Sequence, residues 1–261
     1  MDKSNRFSLM MEALTELVQE EVTPPPAPKP ALPTLASVLA DNSPLPSEAL
    51  YLGQAEDGLP VLLNLHDPVT GPILIGADRS SGKSLLLQTI ARAADLLHPP
   101  SRVQYGIITP RPDEWKALYG AQSNAGIYST RDENSQELLQ SLVTWAHNNK
   151  GGEQSVLLMV DDLEAVIDLG EQAQQNLRWL LLRGTSRRVW TFVTLNASRA
   201  NDVIDWLGFF RTRLFGSVQN PDDAALLTGN RSHTLDHLTP GAEFAMREGN
   251  NLLTFWLPSL E

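Results

Sequence analysis

One short stretch of the chain combines the residue types and the spacing that phosphate chemistry requires. Residues 77–84 read ADRSSGKS, between the apolar run PILIG and the run LLLQTI. A strand, a loop ending in Gly-Lys-Ser and a helix form the pattern of a P-loop, in which backbone N–H groups and the helix N-terminus bind an anion. Lys83 would then reach the β- and γ-phosphates, and the Ser84 hydroxyl would bind Mg²⁺. The predicted nucleotide-binding residues are Ala77, Asp78, Arg79, Ser80, Ser81, Gly82, Lys83, Ser84 and Leu85.

Two acidic residues follow a second apolar run. Asp161 and Asp162 come directly after Val156–Val160. Because ligands of open α/β sheets bind at the carboxyl ends of the strands, we expect Asp161 to hold Mg²⁺ together with Ser84. Asp162 would face the attacking water as a general base. The alternative for the acidic pair is an ordinary helix cap after a strand.

A third apolar run, VWTFVTLN, ends in Asn196. An amide at the tip of such a strand, beside the two acids, could sense the γ-phosphate or hold the attacking water. The equal alternative is a turn residue or a helix cap before NDVIDWLGFF.

Most of the chain after residue 47 alternates apolar runs with stretches of helical periodicity. Unbroken apolar strands between helices are typical of a parallel sheet that is covered on both faces. LYLGQAEDGLPVLLNLHD and AEFAMREGNNLLTFWLP predict β-hairpins, and helices are expected over PDEWKALYG and NDVIDWLGFF, among others. The predicted fold class is therefore α/β, with a mostly parallel sheet, helices on both faces and a closing β-hairpin.

The first 46 residues have a different composition. Apolar residues at helical spacing predict an amphipathic helix within residues 1–22. Eight prolines between Pro24 and Pro46 predict an extended, semi-rigid tether over residues 23–46, with no packed helix. The N-terminal helix could dock on a neighbouring subunit or a protein partner, or fold back on its own domain. The folded domain would occupy residues 47–261.

Composition excludes some classes of protein. The chain has no cysteine, which excludes disulfides, thiolate metal sites and thiol catalysis. Its net charge of −11 argues against a protein that simply coats DNA. The stretch from Arg178 to Arg213 nevertheless holds seven arginines and two aspartates, which form either a solvated, salt-bridged face or a surface towards phosphates or neighbouring subunits. No run is apolar enough to span a membrane and no signal peptide is evident, so a cytoplasmic protein is expected.

From Ser47 to Pro258, the order of the motifs resembles the FtsK/HerA superfamily of motor ATPases, including the ATPase domains of type VII secretion systems. The matching segments are RVQYGIITPRPDEWKALYG, LLMVDDLEAV, RGTSRRVWTFVTLNAS, FFRTRLFGSVQNPDDAALLTG and LTPGAEFAMREGNNLLTFWLP. The resemblance implies a RecA-like P-loop NTPase fold and a homo-oligomeric ring, usually a hexamer, with ATP and Mg²⁺ at the subunit interfaces. It also implies that double-stranded DNA is pumped or, in the secretion branch, protein.

The resemblance assigns roles to individual residues. Lys83 and Ser84 would bind nucleotide and Mg²⁺, Asp161 would be the Walker B acid, and Asn196 would stand at the sensor position. An arginine finger from a neighbouring subunit is also implied. The candidates for this finger are Arg183, Arg187 and Arg188.

Three positions depart from the pattern of the superfamily. Ala77 replaces a glycine, Asp162 stands where glutamate is common, and Asn196 replaces glutamine. Because a misplacement of about 1 Å can cost about a hundredfold in rate, the two shortened side chains predict slow hydrolysis or mutual compensation. From the resemblance as a whole, we expect a ring-forming ATPase that moves double-stranded DNA. The alternatives are a nucleotide-gated assembly subunit with weak hydrolysis and an ATPase that moves protein.

Overall fold

The computed structural model describes residues 32–260. The predicted amphipathic helix within residues 1–22 and the first part of the predicted tether, residues 23–31, lie outside the described residues, as does Glu261. The described part forms a ten-stranded sheet with helices on both faces. None of its helices is both long enough and apolar enough to cross a membrane.

The elements alternate along the chain as the apolar pattern predicts. The strands are β1 (Ala49–Ala55), β2 (Pro60–Asn64), β3 (Ile73–Ala77), β4 (Val103–Thr109), β5 (Asn124–Ser129), β6 (Ser155–Val160), β7 (Val189–Asn196), β8 (Thr212–Phe215), β9 (Glu243–Glu248) and β10 (Asn251–Trp256). The α-helices are α1 (Leu35–Asp41), α2 (Lys83–Leu97), α3 (Asn134–Asn148), α4 (Leu163–Ile167), α5 (Glu171–Arg183), α6 (Ile204–Leu207) and α7 (Pro221–Thr228). Short 3₁₀ helices occupy Pro68–Thr70, Pro112–Leu118, Thr185–Arg187 and Ala197–Arg199.

The strand order is β2-β1-β10-β9-β8-β3-β7-β6-β4-β5. The six strands from β8 to β5 pair in parallel, and the four at the other end pair antiparallel. The two predicted hairpins are present, and they join each other through β1 and β10. The predicted α/β architecture is therefore confirmed, with the opening and closing hairpins forming one antiparallel flank.

Burial explains why the central strands carry no polar alternation. Every residue of β3 and of β6 is buried. Leu86 and Ile90 of α2 belong to the core on one face of the sheet, and Leu139 of α3 and Leu177 of α5 belong to the core on the other. Because β3 and α2 are both fixed by this packing, the loop that joins them has a defined position at the carboxyl edge of the sheet.

The tether predicted for residues 23–46 is wrong in its second half. Residues 35–41 form α1, whose Leu35, Val38 and Leu39 are buried. Thr34 caps the helix by accepting a hydrogen bond from Ser37 N, and Leu35 N donates to the carbonyl of Ser259 at 2.7 Å. The prolines cluster before and after residues 34–43, which contain none and keep helical apolar spacing. The compact unit therefore begins at Pro33, not at residue 47.

Three local elements differ from the sequence prediction. Residues 112–118 form a 3₁₀ helix, with a proline at its first position and two buried anchors, Trp115 and Leu118. The helix predicted over NDVIDWLGFF is reduced to the four residues of α6. The short α4, which follows Asp162 directly, was not predicted. Each difference involves a helix of seven residues or fewer, whose existence depends on capping and tertiary contacts more than on periodicity.

Candidate nucleotide-binding site

A cleft of about 540 Å³ opens at the carboxyl edge of the parallel strands. Most of the residues predicted from the sequence line it, together with four that were not predicted. The predicted lining residues are Arg79, Ser80, Gly82, Lys83, Ser84, Leu85, Asp161, Asp162 and Asn196. The lining residues that were not predicted are Pro110, Arg111, Glu114 and Thr194. Asp78 and Ser81 belong to the same loop and Ala77 ends β3, but none of the three lines the cleft.

The loop between β3 and α2 has the backbone of an anion cradle. Ser80 and Gly82 adopt left-handed conformations, with φ of +61° and +85°, and Ser81 N donates to the carbonyl of Asp78. No side chain caps the N-terminus of α2, a helix of 15 residues. Its first N–H groups therefore lack an intrahelical or capping partner, and its positive end faces the cleft. This arrangement fits a phosphate group.

Two other loops support the cradle from behind. A Cβ atom at Gly82 would lie 2.5 Å from Cα of Gly241, so neither backbone leaves room for a side chain between them. Gly241 N also donates to the carbonyl of Ser81 at 3.2 Å. On the other side, Gln219 N donates to Oδ2 of Asp78 at 2.8 Å. The loops after β8 and before β9 thus hold the phosphate loop in place.

Ala77 causes no conflict in spite of its additional methyl group. It is fully buried, and a Cβ built on Gly216 would lie 2.9 Å from the Cβ of Ala77. The glycine at position 216, on the neighbouring end of β8, therefore leaves the space that the methyl group occupies. The departure at Ala77 is accommodated within the fold.

Lys83 lies at the base of the cleft. Its Nζ donates to the carbonyls of Ala77 at 3.0 Å and Asp78 at 2.6 Å. Burial lowers the pKa of Lys83 to about 8, although the nearby carboxylates of Asp161, Asp162 and Asp78 oppose this shift. The ammonium group thus lies against the phosphate loop, where it would add positive charge to the anion site.

Asp161 is the centre of a hydroxyl cluster. Its side chain is buried, and Ser84 Oγ lies 2.9 and 3.0 Å from its two carboxylate oxygens. Thr109 Oγ1 donates to Oδ2 at 3.3 Å, and Thr194 Oγ1 donates to Oδ1 at 3.2 Å. Hydroxyl and carboxylate oxygens are the ligands that Mg²⁺ prefers, so Ser84 and Asp161 together fit this cation.

Thr109 and Thr194 were missed in the sequence, although strand register explains their position. Ile108 pairs with Val160, and Val160 pairs with Val193. The residues that follow these three are Thr109, Asp161 and Thr194. They therefore lie side by side near the carboxyl edge of the sheet. Thr109 ends its predicted strand, so a comparison of polar residues at strand ends would have marked it, whereas Thr194 lies two residues before the end of its strand and needs the register.

Asp162 lines the cleft, but its carboxylate also caps the N-terminus of α4. Oδ1 accepts a hydrogen bond from Glu164 N at 3.1 Å, which is the helix-cap alternative considered from the sequence. Its φ of +109° is unusual for a residue other than glycine and carries strain of order 1–3 kcal/mol. Burial raises the pKa of the Asp162 carboxyl above the ordinary aspartate value.

Asn196 ends β7 beside the phosphate loop, because it pairs in register with Ala77. Its side chain does not cap the following 3₁₀ helix, although it stands at the cap position. Asn196 instead lines the cleft, and the helix-cap alternative is not realised.

The three candidate finger arginines lie at the other edge of the sheet. Arg183 ends α5, and Arg187 and Arg188 precede β7, whose far end carries Asn196. An eight-residue strand spans about 26 Å, so these side chains cannot complete the cleft of their own chain. Arg188 Nη2 pairs with Oε2 of Glu48 at 3.1 Å, whereas Arg183 and Arg187 form no salt bridge with another residue between 32 and 260.

Other arginines of the basic stretch have partners within the chain. Arg178 stacks over the ring of Trp206 at 4.7 Å, and Arg199 pairs with Glu164 at 2.7 Å. Arg213 donates to the carbonyls of Leu207 and Leu227, both at 2.7 Å. Among the seven arginines of the basic stretch, four have partners within the chain, but only Arg188 and Arg199 form salt bridges between residues 32 and 260.

The lowered pKa of Lys83 predicts a pH dependence of nucleotide affinity. Below about pH 8 the ammonium group is charged, and above it the neutral amine attracts phosphate less. We expect the dissociation constant for ATP at fixed Mg²⁺ to rise by up to about tenfold per pH unit above about pH 8, because binding then requires proton uptake. Calorimetry at about pH 9, in two buffers of different ionisation enthalpy, would count the proton. An affinity unchanged from about pH 7 to about pH 9.5 would contradict the assignment of Lys83.

No protein-family model matches the chain, and no curated protein matches its sequence. Solved structures do match. The conjugation coupling protein TcpA of pCW3, solved with ATPγS, superposes with a TM-score of 0.70 at 13% identity, over 88% of this chain and 70% of TcpA. The cytoplasmic domain of the type VII secretion ATPase EccC from Thermomonospora curvata gives 0.66 at 18% identity, over 88% of this chain and 28% of that one.

A third structure comprises ATPases 2 and 3 of EssC from Geobacillus thermodenitrificans. It gives a TM-score of 0.68 at 15% identity, over 91% of this chain and 48% of that one. The chain thus spans less than half of each of these two secretion ATPase structures. The structural neighbours are P-loop ATPases of the FtsK/HerA type, and the chain described here has their fold.

Proposed function

We propose that this chain binds ATP with Mg²⁺ and hydrolyses it, as a subunit of an FtsK/HerA-type ATPase. One observation carries the proposal: the Ser84 hydroxyl lies within 3.0 Å of both carboxylate oxygens of Asp161, although 77 positions separate the two residues. In the same cleft, Lys83 and the uncapped end of α2 supply positive charge. Phosphoryl transfer requires a Mg²⁺ site next to a phosphate-binding loop, and these side chains supply both.

Each residue of the cleft then has a part in the reaction. Backbone N–H groups of residues 79–84, other than that of Ser81, which is bonded to Asp78, bind the β-phosphate. Lys83 stabilises negative charge on the β- and γ-phosphates. Ser84 and Asp161 would hold Mg²⁺, which supplies charge neutralisation on the phosphates when bound. Asp162 orients the attacking water or accepts its proton, and Asn196 orients the water from the neighbouring strand end.

We further propose that the protein works as a homo-oligomeric ring, with six subunits as the expected number. The candidate finger arginines Arg183 and Arg187 lie at the opposite edge of the sheet, so they cannot reach the cleft of their own chain. A neighbouring subunit that presents this edge would bring one of these arginines to the cleft. We favour Arg183 and Arg187 over Arg188, which is engaged by Glu48.

Double-stranded DNA is the cargo that we propose first. TcpA, the neighbour with a TM-score of 0.70, is named as a conjugation coupling protein. Protein is the second candidate, since a structure of EccC ATPases 2 and 3, matched at 19% identity, holds a signal sequence peptide. A third candidate is an assembly subunit with weak hydrolysis, which the helix-capping contact and the strained backbone of Asp162 favour.

The proposed organisation is a folded ATPase domain from Pro33 onward, preceded by a tether and by a helix within residues 1–22 that docks on a protein partner. We propose a cytoplasmic location for this assembly, where ATP is available.

The deciding experiment measures ATP turnover of the purified full chain with Mg²⁺, with and without duplex DNA, at stated salt. Mass photometry on the same samples reports the oligomer. Turnover that rises with duplex DNA supports the DNA motor, and turnover that ignores DNA favours the protein-moving ATPase. Oligomers that form with ATP and persist without turnover favour the assembly subunit. Absence of nucleotide binding would overturn the whole proposal.

A further inference from the structure

A further cation, Arg111, lies on the rim of the cleft beyond Asp161. Its side chain lines the cleft and pairs with Glu114, with Nη1 and Oε1 2.8 Å apart. Both side chains are substantially exposed, at 60% and 42%. Neither residue was singled out in the sequence, and the nucleotide-binding roles discussed above do not use them.

The backbone that carries Arg111 is fixed to the metal-binding end of the cleft. Arg111 N donates to Thr109 Oγ1 at 3.1 Å, and the same hydroxyl donates to Oδ2 of Asp161. Prolines on both sides restrict the backbone dihedrals of the segment. The base of Arg111 is therefore rigid, whereas its guanidinium group is exposed.

The helix that follows Arg111 is anchored as well. Trp115 is fully buried beneath it. Gln88 of α2 donates through Nε2 to the carbonyl of Glu114 at 3.0 Å, which ties this helix to the helix that follows the phosphate loop. The rim and the cradle therefore keep a fixed relation to each other.

Strand order shows which end of a nucleotide Arg111 faces. The phosphate loop follows β3, and the order continues through β7 and β6 to β4, which leads to Arg111. Arg111 thus lies on the far side of Asp161 from the loop that would hold the β-phosphate. Lys83 and Arg111 line the same cleft.

We infer that Arg111 is a second phosphate-binding cation of this chain, which exchanges Glu114 for the terminal phosphate of a nucleoside triphosphate. This inference rests on the proposed nucleotide-binding function. Exposed ion pairs contribute little to stability, so the pair with Glu114 is readily exchanged. A guanidinium group binds phosphate in a bidentate manner that a carboxylate partner also satisfies, so Glu114 holds Arg111 ready while the cleft is empty. Arg111 thereby favours triphosphates over diphosphates.

The test compares the affinities of the full chain for ATPγS and for ADP, each with Mg²⁺, by calorimetry. Arg111→Ala is expected to weaken ATPγS binding by about tenfold or more, the loss typical of a hydrogen bond to a charged group, and ADP binding by less than about threefold. Glu114→Gln is expected to strengthen ATPγS binding because it removes the competing carboxylate.

Lys116→Ala is the matched control. Lys116 pairs with Asp113 at 2.7 Å, also with i,i+3 spacing in the same helix, but neither residue lines the cleft. This variant loses one positive charge and one ion pair and is expected to bind both ligands as the wild type does.

Two results would overturn the assignment of Arg111 while nucleotide binding stands: unchanged ATPγS affinity in Arg111→Ala, or equal losses for ATPγS and ADP. Equal losses in Arg111→Ala and Lys116→Ala would also overturn it, because the effect would then be one of net charge. A wild-type chain that binds neither ligand would overturn the proposed function itself, and this inference with it.

Discussion

Replacing Lys83 with alanine is expected to abolish ATP turnover and to weaken ATP binding by about 10- to 100-fold. The ammonium group is the one lysine charge within the described cleft, and a hydrogen bond to a charged group contributes about 1.5–3 kcal/mol. Turnover falls further, by at least about a hundredfold, because charge on the phosphates grows in the transition state. Fluorescent-nucleotide titration and a phosphate-release assay measure the two effects separately.

A suitable control for this variant is Lys150→Ala. Lys150 is exposed in the loop before β6, at the amino end of the strand whose other end leads to Asp161. The Lys150→Ala variant loses the same charge at the opposite edge of the sheet. Its nucleotide affinity and its rate of phosphate release should equal those of the wild type. Turnover retained in Lys83→Ala would place the active cation elsewhere and refute the P-loop assignment.

Asp161→Asn is expected to remove the Mg²⁺ dependence of nucleotide binding and to lower turnover by at least about a hundredfold, since a metal ion supplies several kcal/mol of charge stabilisation. The substitution keeps the shape of the side chain. The hydroxyl groups of Ser84, Thr109 and Thr194 both donate and accept, so they can pair with an amide as with a carboxylate. The fold should therefore survive. A Mg²⁺ titration of ATPγS affinity, together with thermal unfolding, separates loss of the metal from loss of structure.

Asp168→Asn serves as the control for Asp161→Asn. Asp168 is exposed at the end of α4 and does not line the cleft. It should titrate with Mg²⁺ as the wild type does. If Asp161→Asn showed the same Mg²⁺ titration as the wild type, another group would have to hold the metal, and the pairing of Ser84 with Asp161 would be only a structural hydrogen bond.

The features that could be predicted from the sequence are those that repeat over a few residues. Alternating strands and helices, and the loop before Lys83, are visible because burial and phosphate binding each impose a local pattern. Asp161 was found for the same reason, as an acid after an unbroken apolar run. The α/β sheet and the edge at which its ligands bind followed from these patterns.

The features that were missed depend on contacts between distant segments. Thr109 and Thr194 gain their place from the register of β4 and β7 on either side of β6, which no single segment reveals. Leu35 was assigned to a tether because prolines surround it, but the helix is held by a partner near the other end of the chain, Ser259. Composition averaged over residues 23–46 hid the ten proline-free residues that fold.

The contact between Gly82 and Gly241 restricts which residues two positions far apart in the chain can carry. An alanine at position 82 would need Gly241 to move, and Gly241 carries a hydrogen bond to Ser81 that fixes the closing hairpin. Neither position is free to drift alone, although 159 positions separate them. The segment that leads into the closing hairpin is thus part of the support on which the shape of the phosphate loop depends.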